Sequence, residues 1–231
     1  MTDAARLRAR PGLWTGDAPP PGPGRGLHPL GLSGPEARGR DGWLYVPTTH
    51  PLSGPRPLVV ACHGAGSDAS HSIAPLRAAA EKHGLLLLAP DSRGATWDVI
   101  LGGYGPDVAF IDRALAAVFT RYAVDPARIV LDGFSDGASY ALSLGLGNGD
   151  LFTHLMAFSP GFVAPTGQVG RPRVFVSHGT ADRVLPIDRC SRVLVPRLRQ
   201  AGYAVEYLEF AGGHIVPGEV QVAALEWLGV D

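Results

Sequence analysis

The chain has 231 residues, 45% of them apolar, and a formal net charge of −1. That length suits one α/β domain with a sizeable core, and the balanced charge leaves no basic excess for nucleic acid or an anionic membrane. The two cysteines, Cys62 and Cys190, exclude a disulfide framework.

The elements follow in chain order. Residues 1–26 are rich in Pro, Gly and Arg without periodicity, and read as a loose arm or an irregular cover. The run Pro19-Pro20-Pro21-Gly22-Pro23-Gly24 cannot be helix or central strand. This N-terminus lacks a charged-then-apolar leader, and no apolar run approaches the ~18 residues of a membrane span, so the expectation is a cytoplasmic chain. Residues 27–32 and 42–46 predict two short strands around a turn-rich segment, 33–41, forming an antiparallel hairpin at the sheet edge.

A regular alternation then begins. Strands are predicted over 58–62, 85–89, 129–134, 154–158, 173–177 and 204–210. Helices are predicted over 73–83, 107–122, 138–146, 189–201 and 218–228. Cys62 ends the first of these strands, where a free thiol behaves as a small apolar group. Continuous apolar strands separated by helices predict a mostly parallel, doubly wound sheet covered on both faces. No internal repeat or second domain is visible, so residues 27–231 read as a single domain behind the arm.

Ligands of such a sheet bind beyond the carboxyl ends of its strands. The strand 129–134 runs into Gly133-Phe134-Ser135-Asp136-Gly137, followed by helix formers. This is the nucleophile-elbow pattern: a serine on a strained strand-to-helix turn, with the helix N-terminus aimed at the reacting centre. Gly133 and Gly137 stand where a Cβ would collide with the neighbouring strand or helix.

After strand 58–62 comes His63-Gly64-Ala65-Gly66-Ser67. A small loop here lets the Ala65 N–H face the site, and the second donor of an oxyanion hole is then the N–H of Asp136. His63 reads as a brace for the loop rather than a base. After strand 85–89, Trp97 is either one wall of the substrate pocket or a core aromatic capping the sheet. After strand 173–177, His178-Gly179-Thr180-Ala181-Asp182 offers Asp182 as a carboxylate that fixes a histidine tautomer. Its neighbour Asp188 suits the N-cap of the next helix better. After strand 204–210, Gly212-Gly213-His214 lets the chain swing His214 over the sheet end. His28, His50, His71, His83 and His154 read as surface or packing residues. The order Ser135, Asp182, His214 is serine, then acid, then histidine, each after a separate strand.

On these motifs, together with Pro90-Asp91-Ser92-Arg93-Gly94, residues 58–227 resemble the α/β-hydrolase serine esterases. The resemblance is to the phospholipase/carboxylesterase group and to polyhydroxyalkanoate-depolymerase-like esterases. It implies hydrolysis of small-molecule carboxylic esters through an acyl-enzyme, with no metal or organic cofactor. Dienelactone hydrolases share the fold but use cysteine, where this chain has Ser135. Acyl-protein thioesterase relatives carry Gln after the serine, where this chain has Asp136. A serine peptidase or acyltransferase could use the same three residues, and a non-catalytic binding protein could use the same fold. Acyl-chain preference and oligomeric state are not encoded in these motifs.

Overall fold

Strands that are apolar on both faces need helices on both sides. The computed structural model, which describes residues 4–12, 24–34, 39–50 and 54–229, provides that cover. The described strands are β1 (Gly26–Pro29), β2 (Gly42–Val46), β3 (Arg56–Cys62), β4 (Leu86–Pro90), β5 (Val124–Phe134), β6 (His154–Phe158), β7 (Arg173–Gly179) and β8 (Val205–Phe210). They form one sheet in the order β1-β2-β4-β3-β5-β6-β7-β8. β1 pairs antiparallel with β2, and β2 antiparallel with β4. From β4 to β8 every pairing is parallel.

Alternate residues of each strand serve opposite faces. Leu58, Val60, Leu88 and Leu131 pack under α2 (Pro106–Arg121), α3 (Asp136–Leu146) and α4 (Ser191–Gln200). Val59, Ala61, Leu87 and Val130 pack under α1 (Ala69–His83) and α5 (Gly218–Leu228). Both faces are therefore closed, and the carboxyl ends of the parallel strands remain for the site. No helix of the described residues is long and apolar enough to cross a membrane.

Several boundaries differ from expectation. α1 starts at Ala69, four residues early, because Asp68 caps it by accepting from the Ser70 N–H at 2.8 Å, and the helix absorbs Pro75. The expected helix 189–201 divides into a 3-10 turn, Ile187–Arg189, and then α4. Asp188 therefore sits inside the turn and is not an N-cap. It pairs with Arg192 at 2.7 Å, and Cys190 occupies the cap position. A second 3-10 turn, Asp98–Leu101, was not expected. β7 continues two residues further, to Gly179, carrying His178 into the sheet.

Residues 4–12 have no regular structure but are fastened to the domain rather than loose. Leu7 is buried in the α2–α3 core. Its N–H donates to Asn148 Oδ1 at 2.9 Å, and Asn148 Nδ2 donates back to the Ala5 carbonyl at 2.8 Å. Arg6 and Arg10 both reach Asp150. Most of the expected polyproline run lies outside the described residues.

Candidate active site

The elbow is built by close approach. A Cβ on Gly137 would stand 2.2 Å from the Cys62 carbonyl oxygen, and one on Gly133 would stand 2.2 Å from the Gly137 carbonyl oxygen. Only glycine lets α3 start this near β3 and β5. Ser135 between them has φ 59° and ψ −121°, a left-sided conformation that costs a non-glycine residue on the order of 1–3 kcal/mol. Surrounding bonds hold it there. Its N–H donates to the Phe158 carbonyl at 2.9 Å, and its carbonyl accepts from Ala138 and Ser139 at 3.0 Å.

The loops after β7 and β8 are tied to each other by Thr180 N–H to Phe210 O (2.9 Å) and Ala181 N–H to Gly212 O (2.8 Å). That pairing brings Asp182 and His214 together from positions 32 residues apart. His214 Nδ1 lies 2.6 Å from Asp182 Oδ2, and His214 Nε2 lies 2.8 Å from Ser135 Oγ. Asp182 is buried, and its other oxygen accepts from the N–H groups of Val184 (2.8 Å) and Leu185 (2.9 Å). Burial pushes this carboxyl up, but the Leu185 N–H, the His214 ring and the Val184 N–H outweigh it, and the group lies below its usual value. The structure thus unites the three residues singled out in the sequence. The His214 ring also rests on Phe134, with centroids 4.7 Å apart.

A fourth residue, His178, is fully buried beside them. Its Nε2 donates to the Leu185 carbonyl at 2.7 Å and lies 3.3 Å from Asp182 Oδ2, while Nδ1 meets the Ser191 hydroxyl at 2.7 Å. A carbonyl only accepts, so Nε2 carries the proton. Burial lowers its pKa and favours this neutral form. Sequence reasoning passed over His178. Its position four residues before Asp182, at the end of a buried strand, was the available signal.

The loop after β3 lies against the elbow: a Cβ on Gly64 would be 3.5 Å from that of Ser135. His63 is buried, and its Nδ1 donates to the Gly64 carbonyl at 2.7 Å. Its Nε2 accepts from Ser92 N–H at 3.0 Å, with the Arg40 guanidinium at 3.1 Å. Burial, with Arg40 adding to it, lowers its pKa, so the ring is a neutral brace. In a trans peptide the C=O and the following N–H point opposite ways. Holding the Gly64 oxygen against His63 therefore turns the Ala65 N–H away from it. Among the described residues, neither Ala65 nor Asp136 gives its N–H to a backbone acceptor. The Asp136 carboxylate is occupied by the Thr96 hydroxyl at 2.6 Å.

Trp97 is a core residue and not a pocket wall. It is 0% exposed, stacks on Tyr140 with centroids 4.6 Å apart, and donates Nε1–H to the His63 carbonyl at 2.8 Å. Its contribution is to the loop's backbone. The Pro90-Asp91-Ser92-Arg93-Gly94 stretch is also scaffolding. Asp91 accepts from Ala69 N–H and Asp41 N–H, and Arg93 donates to the carbonyls of Arg40 and Asp91.

No family model matches the chain. The crystal structure of esterase PE8 superposes with a TM-score of 0.67 at 25% identity, covering 80% of this chain and 96% of that one. The chain has the α/β-hydrolase fold. Among curated proteins it is similar to the probable feruloyl esterase C of Aspergillus niger, 28% identical over 176 residues. It is also similar to feruloyl esterase C of Emericella nidulans, 29% identical over 176 residues. Each match covers 72% of this chain and 64% of the relative, so the chain spans under two thirds of either relative's length.

Proposed function

We propose that this protein is a serine hydrolase that cleaves carboxylic esters through an acyl-enzyme. The observation that carries the proposal is the continuous relay Ser135 Oγ–His214 Nε2, His214 Nδ1–Asp182 Oδ2, at 2.8 and 2.6 Å. His214 takes the hydroxyl proton as Ser135 attacks the ester carbonyl. Asp182 remains ionised and holds the ring with Nε2 facing the serine. The N–H groups of Ala65 and Asp136 receive the developing oxyanion. His214 then gives its proton to the leaving alcohol, and water repeats the sequence on the acyl-enzyme. Every proton has a carrier among these side chains.

The substrate class is a small-to-medium acyl ester. The names of the two curated relatives add feruloyl esters to the acyl groups worth presenting. The test is kcat/KM on p-nitrophenyl esters from acetate to palmitate and on methyl ferulate, with Ser135→Ala alongside. Turnover of at least one ester, lost on the order of 10⁴–10⁶-fold in the variant, is expected. A variant that keeps a tenth of the activity would remove Ser135 from the chemistry. No turnover on any ester would turn attention to amide substrates or to a non-catalytic role.

A further inference from the structure

Asp132 is one of several buried carboxyl groups outside the relay, with Asp91, Asp98 and Asp107. Asp132 stands on β5 three residues before Ser135, on the face of Val130 and Phe134 that α1 and α5 cover. It is 7% exposed, and its Oδ1 is buried without a hydrogen-bond partner among the described residues. Burial pushes the group up to about 7, against the backbone N–H of Gly133, which donates to the carboxyl and lowers it. A buried acceptor left unpaired is costly, and such groups mark places where something else supplies the donor.

Asp132 lines a cavity of about 140 Å³ between the sheet, α1 and α5. The cavity is about half open to solvent, and its volume is close to that of the ~150 Å³ enclosed apolar cavity that admits benzene. Ser135, Asp182 and His214 do not line it, but Gly64 of the loop after β3 and Gly133 and Phe134 of the elbow do, so the cavity borders the catalytic loops. The Phe134 ring, which does line it, rests on His214. Its other walls include Leu76, Phe158 and Val216, which suit a hydrocarbon. A second polar atom without a partner, Ser72 Oγ on α1, belongs to a residue of the same lining.

We propose that this cavity is a binding site for a small organic amine, its ammonium group held by the Asp132 carboxylate and the Ser72 hydroxyl. An ammonium brings three donors and no acceptor, which matches a carboxylate oxygen and a hydroxyl lone pair. The Phe134 and Phe158 rings favour a cation near their faces. A bare hard cation is a poor fit, because it needs about six or more oxygen ligands and the side chains of the lining offer oxygens only from the Asp132 carboxylate, the Ser72 hydroxyl and the Gln221 amide. A neutral alcohol of equal size fills the same space without the charge.

The probe pair is n-butylammonium and 1-butanol, titrated at about pH 8 into the full chain and followed by ¹H–¹⁵N chemical shifts. Ser135→Ala is run in parallel, so that failure of the catalytic proposal leaves this result readable. We expect n-butylammonium to perturb amides of β5, α1 and α5 equally in both proteins, and to bind at least about tenfold tighter than 1-butanol, as a charge-assisted hydrogen bond implies. Asp132→Asn removes that preference while leaving 1-butanol binding within about threefold. Ser72→Phe, which fills the cavity from the helix side, removes binding of both probes. Equal affinity for amine and alcohol, an unchanged amine affinity in Asp132→Asn, or no shift in the wild type at saturating amine would each overturn the proposal. If Asp132→Asn does not fold, the wild-type preference and the Ser72→Phe result decide it.

Discussion

Asp132→Asn has a second consequence, in stability, whose size and sign follow from burial. The ordinary carboxyl value is 3.8, and in the folded chain burial raises it to about 7. Between those values the folded state holds a proton that the unfolded state has released. Stability therefore falls as pH rises through this window, by about 1.4 kcal/mol per unit. The contribution is fully present below about pH 4 and gone above about pH 7. The whole window is worth on the order of 4 kcal/mol, of which about 3 kcal/mol lies between about pH 5 and pH 8. Asparagine is neutral throughout and lacks this slope. Any constant cost of the buried amide cancels when the difference between variant and wild type is followed against pH. Urea denaturation at about pH 5, 6, 7 and 8 is the assay, with Tm by calorimetry as a check. The variant should gain about 3 kcal/mol on the wild type across the series, or roughly 6–12 °C in Tm. A difference that stays flat with pH would mean that Asp132 ionises normally and is neither desolvated nor unpaired.

Three further substitutions test the relay and its supports. Asp182→Asn leaves His214 without the acceptor that sets its tautomer, and kcat should fall on the order of 10⁴-fold with little change in Tm, read by steady-state kinetics and calorimetry. His63→Ala frees the Gly64–Ala65 peptide, so kcat should fall about 10²–10³-fold, the scale of one lost oxyanion donor, with KM nearly unchanged. A rise in KM alone would assign His63 to substrate binding instead. Gly137→Ala places a Cβ 2.2 Å from one backbone oxygen and 2.6 Å from another, and no rotamer relieves that overlap. It should cost about 3 kcal/mol or more in urea denaturation, and a variant as stable as wild type would show that α3 can shift away from β3.

The Ser135, Asp182 and His214 constellation was legible because each member follows a buried strand, and strand ends in a doubly wound sheet converge. Ser135 was marked by flanking glycines, whose reason is the 2.2 Å approaches at positions 133 and 137. Asp182 and His214 were marked by order and by short loops after β7 and β8. What stayed hidden depends on neighbours across the sheet. Trp97 had two readings until Tyr140 and the His63 carbonyl appeared beside it, since an aromatic after a strand can turn either way. Asp188 looked like a cap because nothing in the sequence shows the 3-10 turn preceding α4. α1 began early because its cap, Asp68, lies just beyond a glycine-rich loop that reads as coil. Asp132 was absorbed into the apolar elbow strand, and its isolation follows only from how α1 and α5 close over β5. Periodicity shows which face a residue takes, but not which partners reach it.

The proposed chemistry rests on a covalent intermediate at Ser135, and one experiment looks for that bond. The full chain is treated with a fluorophosphonate, digested and mapped by tandem mass spectrometry, with Ser135→Ala as the control. A single phosphonyl adduct on the Ser135 peptide, absent from the control, is the expected result. No adduct, or an adduct on another serine that persists in Ser135→Ala, would contradict the assignment of Ser135 as the nucleophile.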